Sequence, residues 1–267
     1  MSVLLQISDT HFGTEQLPVV EALIAFTAQQ RPDVVVLSGD ITQRARRVQF
    51  DAARTFALRL ARPVLAIPGN HDVPLFDLLA RCTRPYGRYR EAFGDELEPV
   101  HASADLLVQC LNTTRWWRHT NGEISAKQIR RVAARVAGAT PGQLRVIVVH
   151  QPVAVHSTGD VHDLVRRHAV AVQRWAEAGA DLVMGGHIHL PYVMPLPGLS
   201  RRLWAVQAGT AVSHRLRGGL PNSVNLLRWG GDAPYGRCVV EQWDCPAVGP
   251  AFVRTAVTEF EPQRGAP

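Results

Sequence analysis

The chain has 267 residues, of which 46% are hydrophobic, a formal net charge of +6 and a pI near 9.7. It is long enough to bury a sizeable core, and no apolar run is long enough to cross a bilayer. The basic residues are almost all Arg, spread along the chain without interleaved aromatics, so we expect no specific nucleic-acid partner. No cleavable leader precedes the first apolar run, and we therefore expect a cytoplasmic protein.

Apolar runs alternate with helical patterns and predict a single α/β domain over residues 1–267. Runs typical of buried strands occupy residues 3–7, 34–37, 64–67, 146–149 and 182–184. Helical patterns occupy residues 15–30 and 44–60, and a capping box at Ser125 and Gln128 begins a helix that runs to about residue 137. This alternation predicts parallel crossovers.

Beyond residue 189, short apolar runs broken by Pro and Gly predict antiparallel strands at residues 203–208, 223–229, 238–243 and 252–260. The stretch that starts at Pro195 predicts a turn leading into a second sheet. No two cysteines have Cys-x-x-Cys spacing, so we expect reduced thiols at all four positions, which are Cys82, Cys110, Cys238 and Cys245. The alternative is a disulfide between Cys238 and Cys245 across a hairpin.

Five short strings of carboxylate, amide and imidazole side chains each follow one of the early strands. Because the carboxyl ends of parallel strands open onto one crevice, residues far apart in the sequence can meet there. A single histidine beside an apolar run is more often structural, but five such strings in order predict a site. Their candidate residues are Asp9, His11, Asp40, Asn70, His71, Asp72, His150, His187 and His189.

These donors are oxygen and nitrogen atoms without thiolate, which suits divalent manganese, iron or zinc. Seven ligands are too many for one tetrahedral ion, since a catalytic zinc usually takes three protein groups. We therefore predict two divalent metal ions that share a carboxylate. Asp40 is the natural bridge, because Gly39 allows a tight turn and a carboxylate can give one oxygen to each ion.

The order Asp-x-His, Gly-Asp, Gly-Asn-His-Asp, His and Gly-His-x-His, over residues 9–189, resembles the calcineurin-like metallophosphoesterases. The resemblance implies a four-layer α/β/β/α sandwich of two mixed sheets flanked by helices, with the binuclear site at strand ends. It also implies that His71 faces the substrate and that Asp72 orients His71 or its loop. One ion would be held by Asp9, His11 and His189 and the other by Asn70, His150 and His187, with Asp40 between them.

Two such ions bring the pKa of a shared water toward neutrality, so we expect a hydroxide to attack phosphorus. A histidine titrates near neutrality and can protonate the leaving oxygen, and His71 is the candidate for this role. No Arg or Lys stands beside His71 or the Gly-His-x-His string in the sequence. We interpret this as favouring a small, singly charged phosphodiester.

Within the superfamily the chain resembles bacterial class III cyclic-nucleotide phosphodiesterases, which implies a 3′,5′-cyclic nucleotide as substrate. Alternatives are another phosphate ester, a lipid-linked pyrophosphate, or a non-catalytic scaffold that keeps the fold. The sequence leaves the metal identity and the oligomeric state open.

Specificity is expected from the connections at residues 72–94 and 112–122, which are rich in Arg, Tyr and Trp. Trp116 and Trp117 are candidates for base stacking or for core packing, and Arg115 for a phosphate contact or a solvent-facing position. Of the remaining histidines, only His214 has a claim to line the site.

Overall fold

The computed structural model describes residues 1–230, 236–249 and 251–263, and it contains two mixed six-stranded sheets flanked by helices. The strands are β1 (Ser2–Ile7), β2 (Val34–Leu37), β3 (Val64–Ala66), β4 (Val100–Ala102), β5 (Leu106–Cys110), β6 (Leu144–Val148), β7 (Leu182–Gly185), β8 (Tyr192–Pro195), β9 (Trp204–Gln207), β10 (Asn222–Trp229), β11 (Cys238–Cys245) and β12 (Val253–Phe260). The α-helices are α1 (Leu17–Gln30), α2 (Arg47–Arg59), α3 (Leu78–Thr83), α4 (Gly87–Phe93), α5 (Ala126–Ala137) and α6 (His168–Glu177). The predicted four-layer sandwich is confirmed.

Both sheets contain a set of neighbouring parallel strands. The first sheet has the order β12-β11-β10-β1-β2-β3, and the second has the order β4-β5-β6-β7-β9-β8. The pairs β1/β2, β2/β3 and β6/β7 are parallel. The five strands that precede the predicted site are therefore neighbours within their sheets, three in the first and two in the second. Their carboxyl ends share one edge of the sandwich.

Three apolar clusters join the four layers. Side chains of β1 alternate, as the pleat of a strand requires, so Leu5 packs toward α1 and α2 while Leu4 packs between the two sheets. The cluster between the sheets also contains Val146 and Leu182. On the far side, Trp175 of α6 is fully buried with residues of α5 and the second sheet.

The predicted helices are present with shorter amino ends. Helix α1 begins at Leu17 and has a proline in its first turn, where a backbone N–H has no helical partner. Helix α2 begins at Arg47 because Ala45 has a positive φ of 51° and residues 44–46 form a loop. The Ser125 capping box of α5 is confirmed, with the Ser125 hydroxyl accepting the N–H of Gln128 at 3.1 Å.

The region after residue 189 corrects two predictions. The turn that begins at Pro195 lies between β8 and β9 of one sheet, and it does not lead from one sheet to another. Strand β9 is antiparallel to β8, as predicted, but it also pairs in parallel with β7, which was not predicted. The other three strands, β10 to β12, are antiparallel as predicted, and β10 joins the first sheet beside β1.

Cys82, Cys110 and Cys245 are free thiols, as predicted; Cys82 is exposed, and Cys110 and Cys245 are buried. Within the described part of the chain, no helix is long and apolar enough to cross a membrane.

Candidate metal centre

The structure brings all of the sequence-predicted donors to one edge of the sandwich. Three overlapping groups have ligand atoms close enough to share an ion; they are Asp9/His11/His189, His11/Asp40/His71 and Asp40/His150/His187. Asn70 joins the last group, because its Oδ1 lies 3.3 Å from Nε2 of His150. The donors thus form two neighbouring sets with Asp40 in common.

Asp40 lies between the two sets and directs one oxygen to each. Its Oδ2 is 3.8 Å from Nε2 of His11, and its Oδ1 is 3.2 Å from Nε2 of His150. The carboxylate is buried, at 1% exposure for the residue. This is the arrangement expected of a carboxylate that gives one oxygen to each of two cations.

In the first set, two ring nitrogens face each other beside a buried carboxylate. Nε2 of His11 is 3.3 Å from Nε2 of His189, and Oδ1 of Asp9 is 3.8 Å and 3.5 Å from these two atoms. Burial lowers the pKa of His11 well below its usual value, so its imidazole is neutral. Neutral imidazoles and a carboxylate that converge on one point suit a divalent cation.

Backbone carbonyls fix the orientation of three histidine rings. In each ring Nδ1–H donates to a carbonyl oxygen. The donor and acceptor pairs are His150 to Ser38 at 2.9 Å, His189 to Arg215 at 2.7 Å, and His71 to Gln43 at 2.9 Å. Because a carbonyl can only accept, each Nδ1 carries a proton, and Nε2 is the ring nitrogen that faces the centre. The same kind of partner orients metal-binding histidines generally.

His187 is oriented the other way around. Its Nδ1 is buried and has no hydrogen-bond partner among the residues that the structure describes, while its Nε2 is 3.5 Å from Oδ1 of Asp163. A buried ring nitrogen without a partner is unfavourable unless a ligand satisfies it, so this atom fits a metal ion. Asp163 lies in a 3₁₀ turn, residues Thr158–Asp163, and it was not predicted from the sequence.

The backbone at the site is held in an uncommon conformation. Five of the seven predicted ligands have positive φ, a region that non-glycine residues seldom occupy; they are Asp9, His11, Asp40, His187 and His189. Gly39, with a φ of 97°, has no room for a Cβ because the ring of His150 lies against it. The predicted tight turn before Asp40 is therefore present.

Asp72 holds the loop and does not contact the ring of His71. Its two carboxylate oxygens accept the N–H groups of Ile41, Thr42 and Gly69 at 2.7 to 3.0 Å, and the Thr42 hydroxyl at 2.8 Å. Burial, together with the nearby Asp40, raises the pKa of Asp72 to about 6. Of the two orienting roles implied for Asp72, the contacts support the one that acts on the loop.

The segment after β9 brings an unpredicted cation to the site. Nη1 of Arg215 lies 3.2 Å from Nε2 of His71 and 3.4 Å from Nδ1 of His11. No Arg stands beside His71 in the sequence, but the fold brings Arg215 to it from a distant part of the chain, so the interpretation that drew substrate charge from the sequence neighbours is not supported. His214, the residue predicted in this stretch, is exposed, and its neighbour Arg215 is the one that contacts the site.

In the connection at residues 112–122, which was predicted to set specificity, Arg115 forms hydrogen bonds that stabilise the loop itself. Arg115 donates to the carbonyls of Asn112 and Thr114 and to the side chain of Gln128. Trp116 and Trp117 are 40% and 58% exposed, and their rings meet edge to face. Arg115 is thus committed to structural contacts, and stacking by the tryptophans stays a prediction.

A family model described as calcineurin-like phosphoesterase matches residues 2–191. The chain belongs to this family. The matched region contains every candidate ligand and His71, which supports metal-dependent phosphoester hydrolysis with a site for two metals.

Two relatives match shorter segments. The chain is 37% identical over 83 residues to the glycerophosphodiester phosphodiesterase GpdQ of Enterobacter lignolyticus, covering 26% of this chain and 29% of that protein. It is 31% identical over 78 residues to a probable cyclic nucleotide phosphodiesterase of Synechococcus sp., covering 26% of this chain and 31% of that protein. The matches thus span less than a third of either relative.

A solved structure shows the same fold over the full length. The dimetal phosphatase from Danio rerio has a TM-score of 0.69 at 14% identity and covers 98% of this chain and 99% of that one. At this identity the likeness establishes the architecture alone.

Proposed function

We propose that the protein is a metal-dependent phosphodiesterase that hydrolyses a small diester such as a 3′,5′-cyclic nucleotide. The observation that carries the two-metal site is the position of Asp40, whose two oxygens face His11 and His150 at 3.8 Å and 3.2 Å. Because β1 pairs with β10, the beginning and end of the described chain share one sheet, which supports a single domain over residues 1–267.

The donor sets fit the proposed metal assignment. Asp9, His11 and His189 would hold one ion. Asn70, His150 and His187 would hold the other, and Asp40 would serve both. The unpartnered Nδ1 of His187 and the facing ring nitrogens of His11 and His189 are the contacts that fit ions best. When bound, manganese, iron or zinc would supply an activated water and neutralise charge that develops on the phosphoryl oxygens.

His71 is proposed as the group that protonates the leaving oxygen. Its ring is held by the hydrogen bond from Nδ1 to the carbonyl of Gln43, so Nε2 is directed toward the site. Its backbone N–H donates to Oδ1 of Asp40 at 2.8 Å, which ties its position to the shared carboxylate. Asp72 fixes the same turn through the N–H of Gly69. General acid catalysis of this kind contributes about 10²–10⁴-fold in rate.

Diester specificity is supported by the names of the two relatives, which are both phosphodiesterases. The lack of a cation next to His71 in the sequence does not support a diester, because Arg215 lies beside His71 in the fold. A singly charged diester remains compatible with one guanidinium, since that cation can bind one non-bridging oxygen.

The test is a comparison of kcat/KM for bis-nitrophenyl phosphate and nitrophenyl phosphate after reconstitution with Mn²⁺, followed by a panel of cyclic nucleotides, other esters and pyrophosphates. We expect the diester to be preferred and a cyclic nucleotide to give its monophosphate. A clear preference for the monoester would refute the diesterase proposal and leave the metal site intact. Absence of any metal-stimulated turnover would instead favour a non-catalytic scaffold.

A further inference from the structure

The feature that the proposed metal chemistry leaves unused is the guanidinium of Arg215. It is half-buried at the inner rim of the site, where Nη1 donates to Oε1 of Gln43 at 3.0 Å and lies 3.2 Å from Nε2 of His71. Among residues 1–230, 236–249 and 251–263, no carboxylate forms an ion pair with it. By contrast, Arg217, two residues on, is paired with Asp160 at 2.6 Å.

The backbone of Arg215 is anchored independently of its side chain. Its carbonyl oxygen accepts Nδ1–H of His189 and the hydroxyl of Thr210, both at 2.7 Å. The residue that orients a predicted metal ligand therefore also carries the cation. Because the anchor is a main-chain atom, a side-chain substitution at this position leaves the orientation of His189 in place.

We infer that Arg215 binds a non-bridging oxygen of the substrate phosphoryl group and thereby influences which substrate charge the site prefers. This inference rests on the proposed phosphoesterase function. A guanidinium donates only and forms its strongest hydrogen bonds with anionic oxygens. Within the described residues, the partners of this guanidinium are one side-chain amide and two imidazoles. An oxyanion placed between the donor sets and His71 is a better acceptor than any of these groups.

The contact with His71 gives the inference a mechanistic consequence. While Nη1 donates to Nε2, the lone pair of that ring nitrogen is occupied. Transfer of the guanidinium hydrogen bond to a phosphoryl oxygen frees Nε2, which then takes up a proton from solvent water and gives it to the leaving oxygen. Arg215 thereby couples the arrival of the anion to the availability of the histidine.

The experiment compares the wild type with Arg215→Gln and Arg215→Lys. Arg59→Gln is the matched control, because Arg59 loses the same charge from an exposed ion pair with Glu21 on the helical face. Each Mn²⁺-loaded protein is measured for metal content, for binding of inorganic phosphate by calorimetry, and for kcat and KM on the two nitrophenyl esters.

We expect Arg215→Gln to keep the wild-type metal content and to weaken phosphate binding by about 10- to 100-fold, as for loss of a charge-assisted hydrogen bond. Arg215→Lys should lie between, because it keeps the charge but not the planar fork. The loss in kcat/KM should be larger for the dianionic monoester than for the monoanionic diester, whereas a merely structural role would lower both equally.

Wild-type phosphate affinity in Arg215→Gln would overturn the inference, as would loss of metal from that variant, which would assign the residue to the metal site itself. If Arg215→Gln does not fold, the same comparison is made with Arg215→Lys, and unchanged selectivity between the two esters then overturns it. Failure of the proposed function has a different signature. The wild type would turn over neither ester, while phosphate binding would still depend on Arg215.

Discussion

Replacement of Asp40 with Asn tests the shared carboxylate directly. The amide has the same shape, and its oxygen can still accept the N–H of His71 that Oδ1 accepts at 2.8 Å, so the turn should persist. What disappears is the negative charge that faces His11 on one side and His150 on the other. Even changes to groups that only support a metal ligand cost about 10- to 100-fold in affinity. We therefore expect at least about 100-fold weaker binding of both ions.

The expected stability change follows from linkage. An ion present at about 100 times its Kd stabilises the fold by about 2.7 kcal/mol, and a 100-fold weaker site at the same concentration gives only about 0.4 kcal/mol. The difference is about 2.3 kcal/mol for each ion and about 4.6 kcal/mol for the two ions together. For a chain of this size, about 4.6 kcal/mol corresponds to about 9–18 °C in Tm. The assay is thermal unfolding with and without Mn²⁺, together with metal content per chain.

Asp51→Asn, an exposed position on α2, is the control for the loss of one carboxylate. The metal-free Tm of each variant separates effects on folding from effects on metal binding. If Asp40→Asn keeps two tightly bound ions and the full metal-induced rise in Tm, Asp40 does not bridge.

Three further predictions concern proton transfer, the support of a metal ligand and backbone packing at the site. His71→Ala should keep its metal and lose about 10²–10⁴-fold in turnover of an alkyl ester, but less with a nitrophenyl ester, whose leaving group hardly needs a proton; equal losses would refute the general-acid role. Asp163 is expected to support His187, which is the ligand, so Asp163→Asn should weaken metal binding by about 10-fold in a metal titration. His187→Ala should instead deplete one ion. Identical behaviour of the two variants would contradict this division of roles. Gly39→Ala should lower the free energy of unfolding in urea by more than Gly94→Ala, because both glycines have positive φ but only Gly39 has a neighbour, His150, in the way; equal effects would contradict the packing argument.

The sequence predicts those site residues that directly follow a strand. Asp9, Asp40 and Asn70 each follow a short apolar run, and a run of that kind both marks a strand and fixes where it ends. Since neighbouring parallel strands end at one edge, position in the chain was enough to predict convergence in space. Polar residue type then indicated the metal chemistry.

The residues that escaped prediction lie on connections without such a marker. Asp163 sits in a 3₁₀ turn, and Arg215 follows β9 in a loop whose direction depends on tertiary contacts. In the second case residue type was misleading, because His214 has the side chain expected of a metal site but points to solvent. Strand partners were equally hidden, since the run at β9 predicts a strand but contains nothing that distinguishes β7 from a later neighbour.

The backbone of the site explains why its ligands are where strands end rather than within them. Inside a regular strand, every second side chain points to the same face, so the directions of Asp9 and His11 would be set by the pleat alone. Instead each has a positive φ, of 52° and 43°, which turns the chain sharply while its N–H donates to the carbonyl of Gly39 or Asp40. Such residues cost about 1–3 kcal/mol each and persist only where the surroundings determine them. The parallel ladder below and the hydrogen bonds between the β1 and β2 loops supply that support, so the strain is confined to the edge where the donors must converge.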